Sequence, residues 1–282
     1  MGIVGLPNVG KSTLFKLLTK QSVDIADYPF TTINPNIGVV KVPDSRLEAI
    51  ARIVKPDKIT PTIIEFVDIA DLIKGAHKGE GLGNQFLSQV RNCNAILEVV
   101  KCFGNDVKVQ EDIEIIKLEL EMKDREGKEK ENTLSAKPIV YLLNTEGKTQ
   151  YQTPDIPYLA LNLKDELEMS ELSELKDKKS DPNSALDRLI LACYNILDLI
   201  TFYTIKGGKE TRAWTIKKDS SIQRAGKVVH SDFEEKFIRG QVINWGKLIE
   251  SGGWKEAREK GLIQTVGKDY LVKDGDVIEF KI

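Results

Sequence analysis

The stretch "GLPNVGKST", residues 5–13, decides the fold. It fits the pattern G-x-x-x-x-G-K-[ST] through Gly5, Gly10, Lys11 and Ser12, with the apolar run "GIVG" (2–5) before it and a helical pattern, Lys11–Lys20, after it. Each residue type has a physical reason to be there. The two glycines admit backbone angles and a close approach that a side chain would block. The amides of Asn8, Val9, Gly10, Lys11, Ser12 and Thr13 can then turn inward onto phosphate oxygens, helped by the positive end of the following helix. The Lys11 ammonium neutralises phosphate charge and the Ser12 hydroxyl is placed for Mg²⁺. A strand–loop–helix of this kind predicts a nucleoside triphosphate site with Mg²⁺ as its ion.

Outward from the loop, apolar runs alternate with helical patterns. The runs at 2–5, 37–42, 62–68, 95–100, 137–144 and 158–163 are strand-like, and several are nearly continuous, as in a parallel sheet covered on both faces. Helical stretches include Ser45–Ile53 and Asn84–Arg91. The expectation is an α/β fold: a nucleotide-binding domain over 1–200 built on a mostly parallel, doubly wound sheet. Within it, 104–136 opens with Ile113, Ile116 and Leu120 at helical spacing and becomes a charge run, which predicts one helix ending in a solvated turn. "DPNSALDRLILACYNILDLI" (181–200) reads as a linking helix that starts at Asp181-Pro182.

From Thr201 the pattern changes. "TFYTI" and "ETRAWTIKK" flank "KGGK", a hairpin turn. A helix is predicted near Phe233–Arg239, then a second hairpin through the turns at Gly267-Lys268 and Asp274-Gly275. Two hairpins flanking a helix predict a small α+β domain, 201–282. That segment has 16 Lys and Arg against 12 Asp and Glu, so it carries +4 within a chain of net charge −2. The excess points weakly to RNA or another anionic partner, and equally to ordinary solvated surface.

The chain has 282 residues, 41% apolar and 30% charged, enough to bury a sizeable core. No apolar run reaches the ~20 residues of a membrane span, and the N-terminus has no signal-peptide pattern. Cys93, Cys102 and Cys193 lack metal-ligand spacing and read as reduced core thiols, consistent with a cytoplasmic location.

Asp68 ends the run 62–68, where an acid holds Mg²⁺ through water in enzymes with this loop; a turn or cap aspartate is the competing reading. Thr32, in "YPFTTINPN" (28–36), is the candidate for a second Mg²⁺ hydroxyl, with Thr31 as its competitor.

Beyond these residues, "GIVGLPNVGKST", "YPFTTINPNIGVV", "DIADLIKGAHKGEGLGNQFL", "FYTIKGGKETRAWTI", "SDFEEKFIRG" and "GKDYLVKDGDVIEF" resemble the Obg-like ATPases of the YchF type. The resemblance covers both ends of the chain and most of the first 103 residues. It implies a cytoplasmic P-loop ATPase of the translation-factor class, associated with the ribosome or its RNA, and a TGS domain (a ubiquitin-like β-grasp) from about residue 201. It also implies Ser12 and Thr32 as the magnesium-binding hydroxyls. Leu72 stands where related GTPases place a water-orienting glutamine, so hydrolysis is expected to be slow or to use another group. His77 is a nearby catalytic candidate, and an exposed switch histidine is its other reading.

Four departures from the family pattern matter. Asp71 replaces a glycine that senses the γ-phosphate, so weakened discrimination of ATP from ADP is expected. The base-end motif is Asn144-Thr145-Glu146, with the acid one residue closer than in the family's N-x-x-E; Glu146 reads equally as a base contact or a surface acid. The helical arm between core strands is reduced to about 104–136. No histidine follows Cys102-Phe103. The sequence thus predicts a slow Mg²⁺-dependent ATPase that acts as a nucleotide-controlled switch. Lys11, Asp68 and His77 are its catalytic candidates. A nucleotide-binding adaptor without turnover and a GTPase of the wider Obg class are the rival readings.

Overall fold

The computed structural model describes residues 1–20, 36–69, 82–126, 133–147, 154–174 and 184–282, with the backbone alone for 82–86. Thr31, Thr32, Asp71, Leu72 and His77 lie outside the described residues. The chain forms two compact units, and they are not sequential. The first comprises Met1–Lys41 and Ile64–Leu197; the second comprises Val42–Ile63 and Asp198–Ile282. Elements are numbered along the chain, so a few low numbers belong to the second unit.

The first unit contains β1 (Gly2–Val4), α1 (Lys11–Lys20), β2 (Ile37–Lys41), β4 (Ile63–Asp68), α3 (Leu82–Asn92), β5 (Ile96–Cys102), α4 (Val109–Glu126), β6 (Ile139–Thr145), β7 (Tyr158–Leu161), α5 (Leu163–Glu174) and α6 (Ala185–Asn195). Its six-stranded sheet has the order β2-β4-β1-β5-β6-β7. β1 runs parallel to β4 and β5, β5 to β6, and β6 to β7. The six strand-like runs of the sequence are these strands, shifted by a residue or two at their ends. β5 shows why the runs lack alternation: in "ILEVVKC" all residues but Lys101 are buried, as expected for an interior parallel strand. α1 buries Leu14, Leu17 and Leu18, the i, i+3, i+4 stripe of an amphipathic helix. α4 buries Ile113, Ile116 and Leu120 in the same way. At the end of α4, Asp124 accepts from the amides of Leu134 and Ser135, both at 2.8 Å, and those bonds hold its carboxyl below the usual range. The predicted turn at 127–132 lies outside the described residues.

α6 begins later than its sequence suggests. Ser184 is the N-cap, its hydroxyl accepting from Asp187 N at 3.0 Å. A serine placed to bond the third amide caps the helix, and Asp181-Pro182 lie outside the described residues. The helix also ends at Asn195, and Leu199-Ile200, read as its tail, open the next strand.

The second unit contains α2 (Ser45–Val54), β3 (Lys58–Thr60), β8 (Leu199–Lys206), β9 (Glu210–Lys217), α7 (Ile222–Val229), α8 (Ser231–Glu235), β10 (Arg239–Asn244), α9 (Trp245–Ser251), α10 (Trp254–Glu259), β11 (Gln264–Val266) and β12 (Asp276–Lys281). Its sheet has the order β11-β10-β12-β8-β9-β3. The β8–β9 hairpin is present as expected, with Gly207 and Gly208 both at positive φ in its turn. The second hairpin is not. β11 and β12 flank β10 and each pairs antiparallel with it, while β12 also pairs parallel with β8. The turn residues at 267 and 275 mark bends in the chain, and turn chemistry carries no information on the strand that slides between. The helix expected at Phe233–Arg239 is instead α7 with the short α8, and Arg239 starts β10.

Val42–Ile63 was expected inside a 1–200 domain. The structure packs it with the second unit. β3 pairs parallel with β9, and Leu47 and Ile50 of α2 share a core with Tyr203, Ala213, Ile243, Leu248, Ala257 and Val277.

Candidate nucleotide site

The loop between β1 and α1 is shaped by contacts that leave no room for larger residues. A Cβ on Gly5 would stand 2.6 Å from the Val99 carbonyl oxygen, so the loop base passes directly over β5. Gly10 has φ +105°, and a Cβ there would meet Asn144 Nδ2 at 2.5 Å. Asn8 takes φ +63°, a left-handed angle that asparagine tolerates better than most residues. Val9 is buried and packs inward, so it supplies backbone and no lining side chain. Lys11 is almost fully buried, and its Nζ donates to the carbonyls of Gly5 (3.0 Å) and Leu6 (2.9 Å). Those bonds hold the ammonium over the loop, where its charge serves an anion. Ser12 is exposed.

Asn144, at the end of β6, is buried and bonded on both sides of its amide. Nδ2 donates to the Val9 carbonyl at 2.9 Å, and Oδ1 accepts from the Leu163 amide at 3.2 Å. One side chain thus ties the phosphate loop to the start of α5. Its role in this geometry is to hold the loop.

A cleft of about 560 Å³ opens beside this loop. It is lined by the predicted Asn8, Gly10, Lys11, Ser12, Thr13, Asn144, Thr145 and Glu146, which the fold brings together from two parts of the chain. Sequence reasoning missed the rest of the wall: Phe103, Asn162, Leu163, Lys164 and Leu167. Phe103 follows β5, and the other four straddle the β7–α5 junction. A signal was present, because β5, β6 and β7 are parallel and such sheets bind ligands beyond their carboxyl ends. Asn162 caps α5, accepting from the amides of Lys164 (3.2 Å) and Asp165 (3.3 Å). Lys101 Nζ sits 5.4 Å from the Phe103 ring centroid.

Asp68 is not among the residues lining the cleft. It ends β4 in register with Ile3, and its amide donates to the Asn36 carbonyl at 2.9 Å. Among the described residues no group of three or more His, Cys, Asp or Glu side chains could hold a metal ion. The exposed Ser12 hydroxyl and a single strand-end carboxylate fit Mg²⁺ all the same, since this ion typically takes one or two protein oxygens and completes its shell with phosphate and water.

Glu98 on β5 is 1% exposed, and its Oε1 has no hydrogen-bond partner among the described residues. Burial, and then the charge of Asp112, push its carboxyl up to about 8. The same burial pushes the thiols of Cys102 and Cys193 up to about 12, consistent with inert core cysteines.

The comparisons agree with this site. A family model described as "50S ribosome-binding GTPase" matches residues 1–145, and one described as "Protein of unknown function (DUF933)", the YchF-GTPase C-terminal family, matches residues 199–282. The protein named ribosome-binding ATPase YchF of Escherichia coli O157:H7 is 37% identical, over 99% of this chain and 98% of that protein. Its Bacillus subtilis namesake is 36% identical over the same shares. The E. coli alignment runs over 355 positions against 282 residues here, so the relative carries at least 73 residues that this chain lacks. Among solved structures, the Schizosaccharomyces pombe YchF GTPase superposes with a TM-score of 0.82 at 29% identity, covering 99% of this chain and 97% of that one. A GTP-binding protein from Pyrococcus horikoshii OT3 shares the fold at a TM-score of 0.57 and 16% identity, covering 99% and 98%. With identity above a third along nearly the whole length of both chains, and with a phosphate loop, its asparagine latch and a cleft between them, this chain belongs to the YchF family of P-loop NTPases.

Proposed function

We propose that the chain is a Mg²⁺-dependent ATPase with slow intrinsic turnover that binds the ribosome and works as a nucleotide-controlled switch in the cytoplasm. The observation that carries this is the cleft, in which the loop amides, Lys11, Ser12 and the Asn144 latch converge. The names of the relatives supply ATP and the ribosome.

In this reading the amides of Asn8 to Thr13 and the N-terminus of α1 bind phosphate oxygens, and Lys11 neutralises their charge. Ser12, Asp68 and Thr32 hold Mg²⁺, which when bound offsets charge on the transferring phosphoryl group. Thr145 and Glu146 stand at the base end of the cleft, beside Phe103 and Asn162. Leu72 has no group to orient water, so turnover is slow, with His77 as the candidate that assists it.

The preference for ATP comes from the relatives' names, and the residues after Asn144 leave guanine readout unsupported. Guanine readout by N-K-x-D needs an aspartate three residues beyond the asparagine, and here Gly147 holds that position.

The second unit supports a TGS-type β-grasp. Its strands run β9-β8-β12-β10-β11, with the first and last of the unit's C-terminal strands parallel at the centre. Its net +4 suits an RNA partner. The residues missing relative to the E. coli protein fit a helical arm cut down to 104–136, and the nucleotide domain is taken to end near residue 200.

The test is phosphate release from ATP and from GTP with Mg²⁺, with Lys11→Ala as control, alongside co-sedimentation with ribosomes. Lys11-dependent release from ATP above GTP is expected. Release from GTP alone would favour the GTPase reading, and tight ATP binding without release would favour the adaptor.

A further inference from the structure

In the second unit, β12, β8 and β9 lie side by side, and α7 covers their shared face only in part. Ile222 and Ala225 of α7 share a core with Phe202, Ile216 and Ile278. Beyond Val229, the last residue of the helix, the face opens into a cavity of about 620 Å³, larger than the nucleotide cleft and within the range of small-ligand sites. Its floor is a stack of two side chains. Arg212 Cζ lies 4.2 Å from the centroid of the Trp214 ring, and Trp214 Nε1 donates to Thr204 Oγ1 at 2.9 Å, which fixes the indole. A guanidinium laid on an indole is a rigid cationic plane on which a flat ring can stack. The Arg212 side chain is 17% exposed, so this plane borders the cavity. Phe233 and Phe280 supply apolar wall, their ring centroids 5.4 Å apart.

The full charges around the cavity nearly cancel: Lys206 and Arg212 stand against Glu210, Asp232 and Glu279. A phosphate gains little inside. The cations gather instead beside it, at the tip of the β8–β9 hairpin. The segment 55–58 lies along that turn, with the amides of Asp57 and Lys58 donating to the carbonyls of Gly208 (3.0 Å) and Lys209 (3.1 Å). Lys55, Lys58, Lys206 and Lys209, all exposed, therefore meet at one tip. Asp57 is the one acid in 55–58 and 206–209, so the tip carries +3. Two distant segments supply it, and no charge run in the sequence announces it. A near-neutral slot with a stacking floor, next to a cationic tip, fits a polyanion that carries flat uncharged rings. We infer that this face of the second unit binds unpaired RNA, with one base stacked on Arg212 and its flanking phosphates on the lysine tip. Stacking reads no base edge, so little sequence preference is expected. This site rests on the ribosome-binding reading above.

The probes are a short fluorescent single strand of RNA, the same strand with abasic riboses, and its blunt duplex. Each is titrated into the full chain, with excess ADP and Mg²⁺ filling the nucleotide cleft. A stacked base is worth a factor of about five or more, so the abasic strand and the duplex should bind at least that much more weakly than the intact strand. Arg212→Lys keeps the charge and loses the plane. It should cost the intact strand the same factor at an unchanged salt slope, and the abasic strand nothing. Lys206→Gln with Lys209→Gln should instead lower the slope of log affinity against log salt by about 1.4 for both strands, at ~0.7 per phosphate contact. Equal binding of intact and abasic strands, tighter binding of the duplex, or an Arg212→Lys chain that binds like the wild type overturns the site. So does an acidic, tyrosine-containing peptide that binds more tightly than the intact strand, which would make the partner a protein. The abasic arm uses unaltered protein and decides alone where a variant fails to fold. Co-sedimentation in parallel separates the two readings. Pelleting with ribosomes without base discrimination overturns the site alone, and absence of pelleting overturns the ribosome reading and the site with it.

Discussion

Asn144 and Val9, 135 residues apart in the chain, are joined by a 2.9 Å hydrogen bond that fastens the phosphate loop to the end of β6. The other side of the same amide accepts from Leu163 N, so two segments flanking the cleft depend on one side chain. Asn144→Ala leaves a buried carbonyl and a buried amide unsatisfied. Each such loss costs about 1–3 kcal/mol, so ATP affinity should fall by about tenfold or more, read by titration of a fluorescent ATP analogue. Asn144→Asp keeps the acceptor and should retain part of the affinity.

Gly10→Ala attacks the same junction from the loop side. The new methyl would need φ +105° and would meet Asn144 Nδ2. Left-handed strain of this kind costs about 1–3 kcal/mol, before the clash is counted. Nucleotide binding should drop by at least the Asn144→Ala factor, with a lower thermal midpoint. Binding unchanged from wild type would refute the loop geometry described here.

Ser12→Ala should separate phosphate binding from metal binding. Lys11 and the loop amides are untouched, so ATP affinity without Mg²⁺ stays near wild type. Loss of one oxygen ligand should weaken the contribution of Mg²⁺ by roughly 10–100-fold, by analogy with losses on altering metal shells. The measurement is the Mg²⁺ concentration that gives half-maximal phosphate release.

Glu98 predicts a pH dependence of stability. Its folded pKa is raised to about 8 from an ordinary 4.5. The folded state therefore binds more protons than the unfolded state between those values, and stability falls as pH rises through that window. The full effect is on the order of a few kcal/mol. Urea unfolding from pH 5 to 9 should show the decline in wild type, and Glu98→Gln, neutral throughout, should flatten it. An equal slope in both proteins would rule Glu98 out as its source.

Asp71→Gly installs the residue that the family resemblance implies at this position. Returning an unhindered amide and removing a negative charge should raise the ratio of ATP to ADP affinity by about fivefold or more, the lower range for a coupled switch. Competition titrations of the two nucleotides on both proteins decide it.

What was legible in the sequence was local. Gly5, Gly10, Lys11 and Ser12 act within one turn of chain, so their spacing carried their chemistry. The interior strands β4, β1, β5 and β6 of the first unit were visible because such strands in a parallel sheet read as apolar runs. Asn144 stood out as a motif residue, yet its work as a latch depends on where the end of β6 meets Val9. Phe103, Asn162, Lys164 and Leu167 become one wall only after three strands align. β3 was invisible: "KIT" (58–60) has no periodicity, and its partner lies some 150 residues ahead. In the C-terminal segment, turn residues suggested two hairpins, while β12 pairs with β8 and β10 through long-range matching that no turn encodes.

The discontinuity of the second unit has a consequence during synthesis. Residues 42–63 leave the ribosome before the 134 residues of 64–197, and only then do their partners begin to appear. At elongation rates of about 5–20 residues per second, α2 waits roughly 7–27 seconds with Leu47 and Ile50 uncovered. The nascent chain must therefore hold an apolar helix in reserve. Any truncation upstream of Tyr203 leaves that helix permanently without its core, a recipe for aggregation on the part of an otherwise well-packed N-terminal fragment.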